Sequence, residues 1–291
     1  MQQIQWYPGH MTKARRAMQE DIKLVDMVIE LVDARAPEAS RNPDIDQMAQ
    51  GKSRVLILNK ADLADESVNL AWVRHYESQG YFVMMLDSRS RASAKKVSAL
   101  IAAAGKEKQE RDRKRGILNR PIRAMVAGIP NVGKSTFINT IAGRAAAKTG
   151  NKPGVTRGNQ WIRLGKNIEL LDTPGILWPK FEDQSVGQKL SMIGSVKDDI
   201  LNMTDLAYEL MMFLHSFYEG ILEERYGLTG EDCTDIPGTA GVLDEIALNR
   251  HCLAKGGNPD ADRAALLLFD DFRSGRLGRL SLEFPPEKKA S

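Results

Sequence analysis

Cysteine is nearly absent from this chain, with only Cys233 and Cys252 in 291 residues. That is too few for a disulfide framework, and the two are not in metal-ligand spacing. Long apolar runs are missing as well. The longest, such as Val83 to Leu86 and Leu266 to Phe269, fall far short of the ~18 residues that a membrane helix needs. The first residues show no basic segment followed by an apolar one, so no secretory leader is expected. There is no internal repeat and no low-complexity tract. What is there is 42% hydrophobic and 27% charged, the composition of a globular protein of one large or two smaller domains. The expected setting is the cytoplasm, with no membrane partner.

Net charge is only +3, but the balance is uneven along the chain. Residues 1–196 carry 31 basic against 20 acidic side chains, net +11, and residues 197–291 carry 10 against 18, net −8. The first part suits a polyanion, although a basic surface by itself is equally a solvated one.

Short apolar runs rich in β-branched residues alternate with helix-period stretches, the pattern of βαβ units around a parallel sheet. Strands are expected at Met27 to Asp33, Arg54 to Asn59, Tyr81 to Leu86, Ile122 to Ala127, Gln160 to Leu164 and Ile168 to Asp172. Helices are expected at Met11 to Leu24, Pro43 to Gln50, Glu66 to Ser78, Ala94 to Ala103, Lys134 to Ala142 and Ser185 to Ile193. Gly105 to Arg123, with eight basic and three acidic residues, reads as an exposed connector. After Val196 the strand signal stops. Leu206, Leu210, Phe213, Leu214, Phe217 and Ile221 recur at three- and four-residue steps, so a helical second domain is expected over 197–291.

Gly128-Ile-Pro-Asn-Val-Gly133-Lys134-Ser135 fits G-x-x-x-x-G-K-[ST] between an expected strand and an expected helix. Backbone N–H groups of such a loop, through Val132, Gly133 and the first helical residues to Thr136, curl around a β-phosphate. Lys134 reaches the outer phosphate oxygens, and Ser135 offers its hydroxyl to Mg²⁺. Asn59-Lys60-Ala61-Asp62 closes an apolar strand where a base-reading loop belongs. The Asp62 carboxylate can accept from guanine N1–H and N2–H, donors that adenine lacks, so GTP and GDP are expected over ATP. Ser88, after the third strand, falls where a backbone N–H meets guanine O6, though Asp87-Ser88-Arg89 is equally a plain turn. Asp172-Thr-Pro-Gly175 follows an apolar strand. It places Asp172 in the Mg²⁺ shell through water and the Gly175 N–H at the γ-phosphate. A second D-x-x-G, Asp235 to Gly238, has no strand before it and is set aside. Pro153-Gly-Val-Thr156 stands where a loop brings Thr156 to Mg²⁺ and the γ-phosphate.

The order is unusual. In a conventional GTPase the base-reading loop comes last, whereas here Asn59 to Asp62 precede the phosphate loop. The same sheet assembles if the usual termini are joined through Ala94 to Arg120 and the chain opens after the D-x-x-G segment. The expected fold is therefore α/β: a three-layer P-loop GTPase domain, circularly permuted, over 1–196, and an all-helical domain over 197–291.

With these parts the chain resembles the ribosome biogenesis GTPase A family of circularly permuted bacterial GTPases over nearly its full length. The N-terminal signature stands as Trp6-Tyr-Pro-Gly-His10-Met11, and Asp33-Ala-Arg35-Ala-Pro37 follows the first strand. Lys255-Gly-Gly257, Asp260 to Ala264 and Asp271-Phe-Arg273-Ser-Gly-Arg-Leu-Gly278 match towards the end. The resemblance implies a GTPase that binds the precursor of the large ribosomal subunit, through ribosomal RNA and proteins, and leaves on hydrolysis. It implies that the helical domain touches RNA. With a net of −8 that contact needs a local cluster, for which Arg273, Arg276, Arg279, Lys288 and Lys289 are the candidates. No DNA partner is expected, and a monomer is the working expectation.

The residue after D-x-x-G is Ile176, which cannot orient a water as the Gln of many GTPases does, so intrinsic turnover should be slow. The resemblance implies that His10 takes that role on the ribosome. Read alone, His10 is equally a structural histidine. Asn131 matches a residue that ligates K⁺ in potassium-stimulated relatives, or is an ordinary loop residue. Two other readings stay open: an RNA-binding module in which hydrolysis is incidental, and a P-loop ATPase.

Overall fold

The computed structural model describes residues 9–90, 92–118, 120–147, 160–178, 183–229 and 239–286. Thr156, the second D-x-x-G, and Lys288 and Lys289 lie outside the described residues. Six strands form one sheet: β1 (Met27–Asp33), β2 (Ser53–Asn59), β3 (Phe82–Leu86), β4 (Ile122–Gly128), β5 (Gln160–Leu164) and β6 (Ile168–Asp172). Their spatial order is β3-β2-β1-β4-β6-β5. All neighbours are parallel except β5, which returns antiparallel on β6. The first helices of the chain are α1 (Gly9–Asp21), α2 (Pro43–Met48), α3 (Glu66–Ser78), α4 (Ser93–Lys114), α5 (Lys134–Ala142) and α6 (Gln184–Met192).

Residues of β2 alternate between two apolar clusters, as period-two side-chain direction requires. Leu56 and Leu58 join Val32, Val83 and the α3 rings Trp72 and Tyr76 on one face. Val55 and Ile57 join Ile29, Leu31, Val97 and Ile101 of α4, and Phe137 of α5, on the other. Helices on both faces make the three layers. The strand order reverses between β1 and β4, the place where ligands bind in open parallel sheets, at the carboxyl ends of the strands. Asp33, Asn59, Gly128 and Asp172 all end strands there.

The expected connector at 105–123 is corrected by the structure: α4 runs on to Lys114, and β4 starts at Ile122. Val97, Ile101, Ala104, Gly105 and Asp112 form its buried stripe. Gly105 lies so near Ile122 that a Cβ there would stand 2.4 Å from Ile122 Cδ1. The stripe was illegible because two of its members are a glycine and an aspartate. Asp112 is held by Lys108, one turn before it.

Beyond residue 197 the chain forms α7 (Met203–Phe217), α8 (Ile221–Tyr226), α9 (Thr239–Asn249) and α10 (Ala261–Ser274). The expected apolar face is shorter than read. Leu206, Leu210 and Leu214 are buried, Phe217 is 57% exposed, and Ile221 belongs to α8 because Gly220 takes a left-handed conformation between them. The helical residues share one apolar cluster with the sheet. After α10 the chain turns back, and residues 279–283 lie on the loops that follow β1 and β2. Among the described residues no helix is long and apolar enough to cross a membrane.

Candidate functional site

The phosphate loop leaves β4 at Gly128 and enters α5 through Gly133, whose φ of +100° is open to glycine and strained for other residues. The helix N-terminus then points its unpaired N–H groups, from Gly133 to Thr136, into the loop. Lys134 is buried, and its Nζ donates to the carbonyl oxygens of Gly128 at 3.0 Å and Ile129 at 2.9 Å. Burial holds its ammonium down to about 8, with Asp172 opposing the shift. Asp172, at the end of β6, is buried too, and its Oδ1 has no hydrogen-bond partner. Burial raises its carboxyl to about 6, and Lys134 again opposes. An unpartnered buried carboxylate oxygen, with the Ser135 hydroxyl on the first turn of α5, is a donor set that suits a hard divalent cation, so these residues fit Mg²⁺.

Gly175 lies against the phosphate loop. A Cβ at this position would stand 2.8 Å from Lys134 Nζ and 2.9 Å from Pro130 Cα, so no side chain is accommodated without moving the loop. The next residue, Ile176, is 2% exposed and packs in the core. It therefore offers nothing to the cleft. Thr173 Oγ1 donates to Val126 O at 2.8 Å and fixes the segment to β4.

The base-reading loop meets the phosphate loop through Asn59. Its Nδ2 donates to Val132 O at 2.6 Å, and its Oδ1 accepts from Ser88 N at 3.1 Å and Ser88 Oγ at 2.6 Å. Three loops are thus joined by one buried amide. The Ser88 N–H, expected at guanine O6, donates to Asn59 in this structure. Lys60 has a left-handed backbone, φ 59°, and its Nζ donates to Asp33 Oδ2 at 2.9 Å. Asp62 sits in the one-turn helix Ala61–Leu63 and is paired with Arg89, which also binds Asp87 at 2.9 Å. Asn131 turns its Nδ2 to Gly194 O at 2.8 Å, tying the phosphate loop to the end of α6. His10 lies in α1, and its side chain is outside the described atoms. That helix is anchored by Arg15 to Asp44 of α2 at 2.7 Å, next to Asn42, whose Nδ2 reaches Ile176 O at 3.5 Å.

Several residues around the base-reading loop are not assigned to it by the sequence, although Asp33 and Arg35 stand out there as a pattern. Asp33 and Arg35 are both buried, and the guanidinium meets the carboxylate through Nε at 2.9 Å and Nη2 at 2.8 Å. The Arg35 and Lys60 cations hold the Asp33 carboxyl well below its usual range, against the opposing effect of burial. Arg35 also lies over the Phe272 ring of α10, 5.2 Å from its centroid. Arg89 carried a faint signal in Asp87-Ser-Arg89. Arg279 carried none, being distant in the chain.

In the expected RNA cluster on the helical part, the described arginines are engaged within the chain. Arg273 donates to Ser191 O and Met192 O and pairs with Asp198 at 2.8 Å. Arg276 pairs with Asp270 and Asp271, and Arg279 with Glu66 at 3.1 Å.

A family model described as 50S ribosome-binding GTPase matches residues 123–225. The match begins at β4 and so takes in the phosphate loop and Asp172 to Gly175 but not Asn59 to Asp62. The ribosome biogenesis GTPase A of Bacillus cereus is 46% identical over 286 residues, covering 98% of this chain and 95% of its own. That of Thermotoga maritima is 31% identical over 284 residues, again covering 98% and 95%. Among solved structures, GNP-bound YlqF from T. maritima aligns with a TM-score of 0.64 at 28% identity, covering 94% of this chain and 98% of its own. With near-complete coverage at this identity, and with the two motifs joined through Asn59 in permuted order, the chain belongs to the ribosome biogenesis GTPase A family.

Proposed function

We propose that the chain binds GTP and GDP with Mg²⁺, hydrolyses GTP, and serves assembly of the large ribosomal subunit, leaving its precursor on hydrolysis. The observation that carries this is the Asn59 amide joining the base-reading loop to Val132 of the phosphate loop at 2.6 Å. It supports a reading in which Asp62 and Lys134 meet opposite ends of one nucleotide. Lys134 and the N–H groups of α5 would hold the β- and γ-phosphates, Gly175 the γ-phosphate, and Asp172, Ser135 and Thr156 the cation, which supplies charge neutralisation on the phosphate oxygens. Potassium at Asn131 is an adjunct to this reading, open to its remaining amide oxygen.

Buried Ile176 supports slow intrinsic turnover. The tether of α1 to α2, beside Ile176 O, supports His10 as the residue that orients water once the subunit orders that end. Measuring GTP turnover with and without large subunits tests both. Acceleration that His10→Ala removes is expected, whereas no acceleration by any subunit or precursor contradicts the assembly reading. The second reading, an RNA-binding module with incidental hydrolysis, is favoured only by the burial of Ile176. It gains if His10→Ala leaves stimulated turnover unchanged.

For the RNA-facing surface we favour the end of α4. Among the described residues Arg111, Arg113, Lys114 and Arg115 have no ion-pair partner, unlike Arg273, Arg276 and Arg279. Nearby, Arg120 and Lys108 share Asp26 and Asp112. Arg123 stacks 5.2 Å from the ring centroid of Trp161, which is 41% exposed. Cations without a carboxylate partner at the end of α4 suit phosphates, while Arg123, which also pairs with Glu169 at 3.1 Å, backs an aromatic ring on which a base could stack.

A further inference from the structure

The loop that carries Asp62 makes few contacts of its own. Ala61–Leu63 is a single turn, closed by Leu63 N–H on Lys60 O at 2.9 Å. Asn69 of α3 donates its Nδ2 to Ala61 O at 3.2 Å, and the end of the helical part supplies further contacts. Leu280 N–H donates to Leu63 O at 3.0 Å. Arg279 donates to Ala64 O at 2.8 Å and Ala61 O at 3.3 Å, and pairs with Glu66. Asp65 N–H donates to Ser281 Oγ at 3.2 Å. Gly275, the C-cap of α10, lies so close that a Cβ there would stand 2.8 Å from Leu63 Cδ2. The carbonyl of Leu63 is therefore fixed, and that of Ala61 shared with Asn69, from a segment more than two hundred residues away.

The same segment grips the loop after β1. Leu282 N–H donates to Arg35 O at 2.6 Å. The Glu283 carboxylate accepts from Glu38 N at 2.8 Å and pairs with Lys189 of α6 at 3.1 Å, while its carbonyl accepts from Trp72 Nε1 at 3.2 Å. Through Arg35 and Asp33 this second contact reaches Lys60, on the other side of the base-reading turn.

We propose that residues 279–283 are part of the guanine site, with Arg279 a positioning residue that holds the Asp62 carboxylate where it meets the base. This rests on the reading of Asp62 as the guanine acceptor. A carboxylate that must accept two N–H donors side by side tolerates little displacement, and a three-residue turn held from outside by Asn69 alone leaves it more room to wander. Linkage then makes the effect reciprocal: a base seated on Asp62 favours the docked segment, and a helical part drawn away weakens guanine binding.

The test compares GDP with inosine diphosphate, which lacks the 2-amino group, by calorimetry on the full chain, on Asp62→Ala, and on Arg279→Ala and Ser281→Ala. Arg279 is half exposed, so its truncation leaves the core intact. The unmodified chain is expected to prefer GDP by about tenfold or more, and Asp62→Ala to lose that preference. Arg279→Ala is expected to weaken GDP by about three- to tenfold while changing inosine diphosphate less, so that the preference shrinks. Ser281→Ala should move the ratio the same way by a smaller factor. A general loss of stability would weaken both nucleotides alike, and that result, or an unchanged ratio in both strap variants, overturns the positioning role. An unmodified chain that binds the two nucleotides equally overturns the guanine reading itself, and the strap proposal with it.

Discussion

The two ends of the proposed nucleotide site are built differently. The phosphate end is local: Gly128 to Thr136 on one strand–helix turn, with Asp172 and Gly175 from the adjoining strand. The base end is assembled from afar, with Asp62 and Lys60 held by Asp33, Arg35, Phe272 and residues 279–283. The difference separates two kinds of dependence. Binding of phosphate should depend on a few side chains and little on the rest of the fold, whereas base recognition should depend on how the helical part is seated.

The contrast is sharpest at Lys134. Replacing it with Ala is expected to weaken GDP by more than about a hundredfold, because a buried ammonium aimed at the phosphates is lost in a water-poor site. Stability should change little or rise, since burial disfavours the charge before phosphate arrives. Titration calorimetry and denaturant unfolding check the pair of outcomes. A collapse of stability would break the comparison.

At the base end the order should invert. Arg35→Ala leaves the buried Asp33 with Lys60 alone and is expected to cost about 3–5 kcal/mol of stability, read from the urea midpoint. Its effect on nucleotide binding should be the smaller one.

A pH series sharpens the phosphate end further. Burial sets the Lys134 ammonium at about 8 in the nucleotide-free chain, and bound phosphate raises it again. GDP affinity should therefore be full below about pH 8 and fall as pH rises towards the ordinary lysine value, by no more than about tenfold per unit. Lys134→Arg, charged throughout, should flatten that fall.

The smallest expected effect lies at the far end of the sheet. Changing Arg111, Arg113, Lys114 and Arg115 together to Ala should leave GDP binding unchanged. It should also lower the salt dependence of RNA binding by up to about four counterions in a filter-binding series. Loss of nucleotide binding in that variant would contradict the separation of the two surfaces.

How much of this was legible in the sequence follows the same division. The six strands and the phosphate loop were readable because their signals are contiguous: apolar runs, glycines at fixed spacing and a lysine before a serine. The long α4 was not, since Gly105 and Asp112 hide its buried stripe. Nor was the engagement of Arg273, Arg276 and Arg279 by carboxylates and helix ends. Basic residues near a chain's end look free until the fold brings them partners. Asp33 and Arg35 were noticed as a pattern, but their reach to Lys60 and Phe272 depends on pairings that local spacing does not encode.

The most direct measurement is a crystal structure of the full chain with GDP and Mg²⁺. The expected result is one nucleotide with guanine N1 and N2 on the Asp62 carboxylate, Arg89 released from it, and the β-phosphate on Lys134 and the α5 N-terminus. A nucleotide whose base lies away from Asp62, with the Arg89 pair intact, would contradict it.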